Sequence, residues 1–181
     1  MSNAQYLASL VNSSGNIVLP VSNGGVVFNP STTGTGTTLS NTMSDYETGT
    51  WTPTLVATGY TFSYITQNGI YTKIGNLVTV KLYMQVSYAS GSGTVQGSIS
   101  GLPFASANTT ANYGGGSICP DTGSAYLTTG GYTMVTRCGP NLSNFPILFG
   151  NGGNALKATL NWAGITANTE FEVSLQYQAS T

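Results

Sequence analysis

The chain has 181 residues, enough for one core with an appendage and too few for two full-sized cores. It carries 24 glycines and no histidine, and only 5% of its residues are charged, against about 25% in ordinary soluble domains, so hydroxyls and amides must supply its contact with water. The basic residues Lys73, Lys81, Arg137 and Lys157 are scattered singly through a chain of formal net charge −1, which excludes the basic stripe that nucleic-acid binding requires, and the longest apolar runs, such as PILF at 146–149, fall far short of the roughly 20 residues that membrane insertion needs.

The first stretch, MSNAQYLASLVNSSGN, has neither the basic start nor the apolar block of a secretory signal, although QYLASLV suits one or two helical turns. Two short apolar bursts follow, NIVLPV at 16–21 and GGVVF at 24–28, and then the unpatterned Gly/Thr/Ser run NPSTTGTGTTLSNTMS. Such bursts are too short to bury a core alone. They make sense as an extended anchor, residues 1–44, in which strands of several chains wrap round each other.

Residues 45–181 read as an all-β head. In LVTVKLYMQVSY at 77–88, one face carries Val78, Val80, Leu82, Met84, Val86 and Tyr88 and the other alternates polar residues, the mark of a half-buried strand. EFEVSLQYQ repeats the pattern with Phe171, Val173, Leu175 and Tyr177 on one side. Between them lie shorter candidates at 60–65, 70–74, 94–100, 125–129, 132–138, 145–150 and 155–162, the last read as strand over helix because Leu156, Ala158, Leu160 and Trp162 alternate. Breaks such as QNG, IGN, SGSG, TTGG and NGGN carry hairpin-turn chemistry. About nine strands with frequent turns predict an antiparallel β-sandwich, jelly roll or barrel.

Little in the chain supports catalysis. Without histidine, the base of Ser/His/Asp or Cys/His chemistry is missing. Glu170 and Glu172 share one strand face at about 7 Å, whereas glycosidases place their carboxylates on two sides of a cleft. YGGGS and GNGGN lack phosphate-loop spacing, and Asp121 has no acidic neighbour nearby for calcium. Cys119 and Cys138 alone make a poor zinc site; a disulfide between them and two free thiols both remain open. No cofactor is expected. Tyrosines beside turns suit recognition of sugar or protein, and Tyr113, Tyr126 and Tyr132 are the candidates for receptor contact.

Three stretches together carry a resemblance: NGGVVFNPSTTGTGTTLSNTMSDYETGTWTPTL, QNGIYTKIGNLVTVKLYMQV and SISGLPFASAN. This set, with D-Y-E-x-G-T-W-T-P-T at Asp45 to Thr54, G-x-Y-T-K-I-G-N-x-V-T-V at Gly69 to Val80 and G-L-P-F at Gly101 to Phe104, resembles the C-terminal head module of tailed-bacteriophage tail fibre and virion structural proteins. The match covers about residues 23–108. It differs in having only about 44 residues before the module, where that group has a long shaft.

The resemblance implies a component of the phage particle, made in the host cytoplasm and displayed on the virion, with a homotrimeric β-sandwich or jelly-roll head. The expected partners are other copies of itself, a tail, baseplate or capsid protein engaged through residues 1–44, and a host surface glycan or protein. Two non-enzymatic roles fit, a fibre, spike or knob used in host attachment and a capsid decoration protein; a glycan depolymerase is the remote third. Asp45, Tyr46, Glu47 and Trp51 form the expected seam where anchor enters head.

Overall fold

The structure, a computed structural model, describes residues 26–27, 42–43, 45–109, 114–121, 132–151, 159–162, 165 and 168–180. It divides into two compact units, Met1–Tyr46 and Glu47–Thr181, so the division falls inside the DYETGTW stretch, two residues beyond the 44/45 boundary read from sequence. In the first unit, β1 (Val26–Val27) and β2 (Thr42–Met43) pair antiparallel, with Val26 opposite Met43.

The second unit is built on one long hairpin. β5 (Tyr60–Ile74) and β6 (Leu77–Gly91) each run for 15 residues and are joined by Gly75-Asn76, with Ile74 opposite Leu77. Gly75 has φ +55°, and a glycine at positive φ in the first central position suits the II′ class, whose twist matches that of the strands it joins. The sequence placed a break at QNG and two strands either side of it. Instead β5 runs straight through, because Gly69 pairs with Trp51 and lies beneath its ring: a side chain at 69 would collide with the indole. The glycine marks a close approach, not a turn.

The alternation of β6 holds from Val78 to Val86, all essentially inaccessible apart from Leu82 at 6%. It then reverses, so that Tyr88 is 60% exposed and Ala89 is buried, contrary to the face assigned from sequence. The cause is a pair of offsetting irregularities: Ser63 pairs with Tyr88, Tyr64 with Val86 and Thr66 with Gln85, leaving Ser87 and Ile65 as extra residues on opposite strands. Each extra residue flips the side chains beyond it to the other face.

The remaining strands extend this hairpin on both sides. β3 (Glu47–Trp51) pairs with β5 at one edge. β12 (Thr169–Gln178) pairs with β6 over its whole length, then come β8 (Gly114–Asp121), β9 (Tyr132–Cys138) and β10 (Asn144–Asn151), all antiparallel. β12 shows the alternation expected of it, with Phe171, Val173, Leu175 and Tyr177 inside.

At β10 the sheet turns a corner. Ile147 to Asn151 pair with β9, but Asn144 to Pro146 pair with β7 (Thr94–Ser100), and the Pro146 carbonyl at the switch accepts a hydrogen bond from Thr136 Oγ1 at 2.9 Å. β4 (Thr54–Ala57) lies on the other edge of β7, and β11 (Thr159–Asn161) pairs with the first part of β7, at Thr94–Gln96. Of the 155–162 candidate, residues 159–162 are described: Thr159–Asn161 are strand and Trp162 begins a turn of helical form; the 125–129 candidate lies outside the described residues.

The curled sheet therefore folds over its own core. Leu55, Ile99 and Phe145 of the short-strand part join Val78, Val80, Met84, Phe171 and Leu175 of the long-strand part in one buried cluster. Tyr64 ties the two parts through its hydroxyl, which accepts from Leu55 N at 2.9 Å and donates to Leu55 O at 3.1 Å. Trp162, inaccessible to solvent, stands over Gly97, meets Phe62 and Phe149 edge-on at 6.2 and 6.0 Å, and donates its indole N–H to Val95 O at 3.0 Å. This is an all-β, antiparallel fold, as the alternation predicted.

Candidate functional site

Two arrangements stand out, one at the β3 edge and one on the outer face of the long strands. At the edge, aromatic residues cover glycines across the β3–β5 pair: Gly49 lies opposite Tyr71, whose ring atoms stand 2.6 to 2.7 Å from where a Cβ would be, and Trp51 lies opposite Gly69. Such aromatic cover shields glycine backbone that a strand would otherwise leave open. Tyr71 donates its hydroxyl to Glu47 Oε1, which raises its pKa, the accepting carboxylate favouring the protonated phenol.

The turn after β7 closes this edge. Gly101 has φ +93°, and its Cβ position faces Thr52 O at 2.6 Å, so the chain can pass only as glycine. The turn delivers Phe104 edge-on to Tyr71 at 5.4 Å, beneath Lys73 Nζ at 5.4 Å from its ring centroid, while its carbonyl accepts from Tyr177 Oη at 2.9 Å. Lys73 is only 7% exposed, and the cation–π contact with the ring contributes on the order of 1 kcal/mol to the packing of the two side chains. Glu47, Tyr71, Lys73 and Phe104, drawn from the three sequence motifs, thus form one structural knot. Trp51 is 8% exposed and its indole N–H has no acceptor.

Of the seam residues, Glu47 and Trp51 belong to this knot and its strand. Asp45, at φ +58°, a region Asp tolerates, and Tyr46, 68% exposed, belong to the preceding compact unit. Of the loop tyrosines, Tyr113 and Tyr126 lie outside the described residues. Tyr132 is the first residue of β9, opposite Asn151, where the 132–138 strand candidate placed it.

The cysteines do not meet. Cys138 pairs opposite Gly114 and Cys119 lies five residues further along β8, opposite Glu172, so about 16 Å of strand separates the two positions and both are free thiols. The disulfide left open by the sequence is not formed, because the register keeps its ends far beyond bridging distance. Burial pushes the Cys138 thiol up, and Cys119 is exposed.

The second arrangement is a patch two rows deep on the outer face. Asn68, Tyr83, Glu172 and Cys119 lie side by side across β5, β6, β12 and β8; the next row along the strands is Ile70, Lys81, Ser174 and Ser117. Small residues on β12 and β8 against long ones on β6 leave a shallow depression of about 360 Å³ between Lys81, Tyr83, Ser117, Cys119, Glu172 and Ser174. A second, of about 280 Å³, adjoins it between Tyr83 and Ile70, which is 57% exposed.

Among the described residues, the side chains of Asn68, Lys81, Ser117, Glu172 and Ser174 make no hydrogen bond or ion pair with the rest of the chain. Glu170, in contrast, accepts from Gln85 Nε2 at 3.0 Å. Glu170 and Glu172 project from one strand and not from two sides of a cleft. The register sets Asp121 opposite Glu170, and no group of three or more His, Cys, Asp or Glu side chains is poised for a metal among the described residues.

Sequence reasoning missed this patch. The signal was the alternation itself, which put Lys81 and Tyr83 on one outer face and Glu172 and Ser174 on another; the register that joins them was not legible.

No protein-family profile matches the chain, and no curated protein does. Among solved structures, it is similar to the crystal structure of the Dettilon tailspike protein, gp208, with a TM-score of 0.56 and 17% identity, over 75% of this chain and 24% of that one. The likeness is one of fold, and the chain corresponds to about a quarter of the length of that tailspike: its curled antiparallel sheet is an architecture that also occurs within a phage tailspike chain.

Proposed function

We propose that this protein is a non-enzymatic structural component of a tailed-phage particle, a trimeric β-sandwich head that is attached to another virion protein through residues 1–44 and contacts the host cell. The observation that carries the reading is the fold shared with a tailspike over three quarters of the chain. The composition agrees with it: an exterior of hydroxyls and amides is adaptable in recognition. An attachment role also explains why uncommitted side chains gather on an open face and not in a deep cleft.

The test is to label purified particles with antibody to this chain and, separately, to add free protein to a susceptible culture. Label at the tail tip and a block of attachment are the expected results, with sedimentation giving three copies. Label spread over the capsid with no block would make it a decoration protein, release of reducing ends from host polysaccharide would make it a depolymerase, and absence from particles would overturn the proposal.

A further inference from the structure

We propose that the depression on the β5–β6–β12–β8 face binds a neutral oligosaccharide, an inference that rests on the attachment reading for its biological setting but on geometry for its ligand. Three features point to sugar. Tyr83 stands in the middle of the row, flanked directly by the Asn68 amide and the Glu172 carboxylate, which gives a ring face with hydrogen-bonding groups on both sides. Ser174 and Ser117 add hydroxyls at the low floor, and the five uncommitted side chains can bond a ligand without first breaking a bond within the protein. The two depressions together extend over about three strand spacings, roughly 14 Å, room for more than one sugar ring.

The charges choose among ligands. Lys81 and Glu172 are diagonal neighbours, since Lys81 faces Ser174 and Glu172 faces Tyr83. A polyanion drawn to the ammonium meets the carboxylate, and a polycation meets the reverse. A neutral ring with adjacent hydroxyls satisfies both, donating two hydroxyls to the carboxylate and accepting from the ammonium. A protein partner fits less well, because interface centres are depleted of charge and built on apolar anchors, whereas here Ile70 is the exposed apolar side chain among uncommitted polar ones.

The experiment uses the full chain on an array of bacterial surface glycans with neutral and uronate-bearing members, followed by calorimetric titration of whatever binds. Tyr83→Ala and Glu172→Ala should each weaken binding about tenfold or more, while Tyr83→Phe, which keeps the ring, and Ile65→Ser, on the distant bulge, bind as the parent does. Melting midpoints of the variants check that they fold. Capture of uronate-bearing glycans alone, of no neutral glycan, or equal binding by all variants would overturn the proposal. So would a change of sedimentation in the variants in place of a change in sugar binding, which would make this face a contact between copies. If free protein blocks attachment equally well with Tyr83→Ala, the sugar site fails and the attachment role stands. If sugar binds at Tyr83 but the protein is absent from particles, the attachment role fails and the site stands.

Discussion

Replacing Trp51 and Trp162 separately by Phe removes the same atoms from two buried indoles that differ in one respect. Trp162 is inaccessible and donates its N–H to Val95 O at 3.0 Å, whereas Trp51 is 8% exposed and its N–H has no acceptor. The lost ring area and the space left behind are similar in both and largely cancel in the comparison. At Trp162 the substitution forfeits a hydrogen bond with a net value of about 1 kcal/mol; at Trp51 it relieves a buried, unsatisfied donor, a gain of about 1–3 kcal/mol. Trp162→Phe should therefore be the more destabilising by about 3 kcal/mol, which for a chain of this length separates the melting midpoints by about 6–12 °C. Urea unfolding followed by far-ultraviolet circular dichroism, at matched protein concentration, measures the difference. Equal losses, or a larger loss for Trp51→Phe, would show that the Trp51 indole finds an acceptor and that the reasoning from its isolation is wrong.

Other consequences are as direct. Gly97→Ala drives a methyl into the Trp162 ring and should cost about 1–3 kcal/mol, while Gly115→Ala, where a Cβ meets nothing within 4 Å, should stay within about 0.5 kcal/mol of the parent; thermal melts of the two decide it. Stability should be level below about pH 9 and fall as pH rises further, because burial pushes Tyr177 and Cys138 up from 10.0 and 9.0: the folded chain keeps protons that the unfolded chain releases. Tyr177→Phe should flatten that decline, measured as urea midpoint against pH, at the cost of the bond to Phe104 O. Towards a thiol reagent, exposed Cys119 should react in the folded protein and Cys138 only on unfolding, and no disulfide should appear on oxidation within the monomer; rapid modification of both thiols would contradict the burial of Cys138.

What the sequence made legible was local. β6 and β12 could be read because each buries one face over eight or more residues, so that period-2 alternation survives any detail of the neighbours. Tyr88 was assigned to the wrong face because Ser87 and Ile65 are inserted in register only by reference to each other, and the alternation carries no mark of it. QNG looked like a turn because asparagine and glycine usually make one, yet the indole of Trp51, eighteen positions upstream, decides what Gly69 does. The outer patch has the same cause at larger scale. Its residues come from positions 68–70, 81–83, 117–119 and 172–174, and only strand order makes them neighbours. The loop tyrosines were favoured because turns are visible in sequence and registers are not.

The position of β12 has a consequence for how the chain is made. Residues 169–178 lie between β6 and β8, in the middle of the sheet, although they are translated about 80 residues after β6 and about 50 after β8. The β5–β6 hairpin can close within microseconds once its two strands have left the ribosome. It must then wait with one flank bare until translation passes residue 178. A product stopped short of that point leaves β8 unpaired on one side and presents the open edge of β6, a long strand with one apolar face, as a template for aggregation. Only chains translated past that point can close the sheet, so the fold itself discriminates against truncated copies.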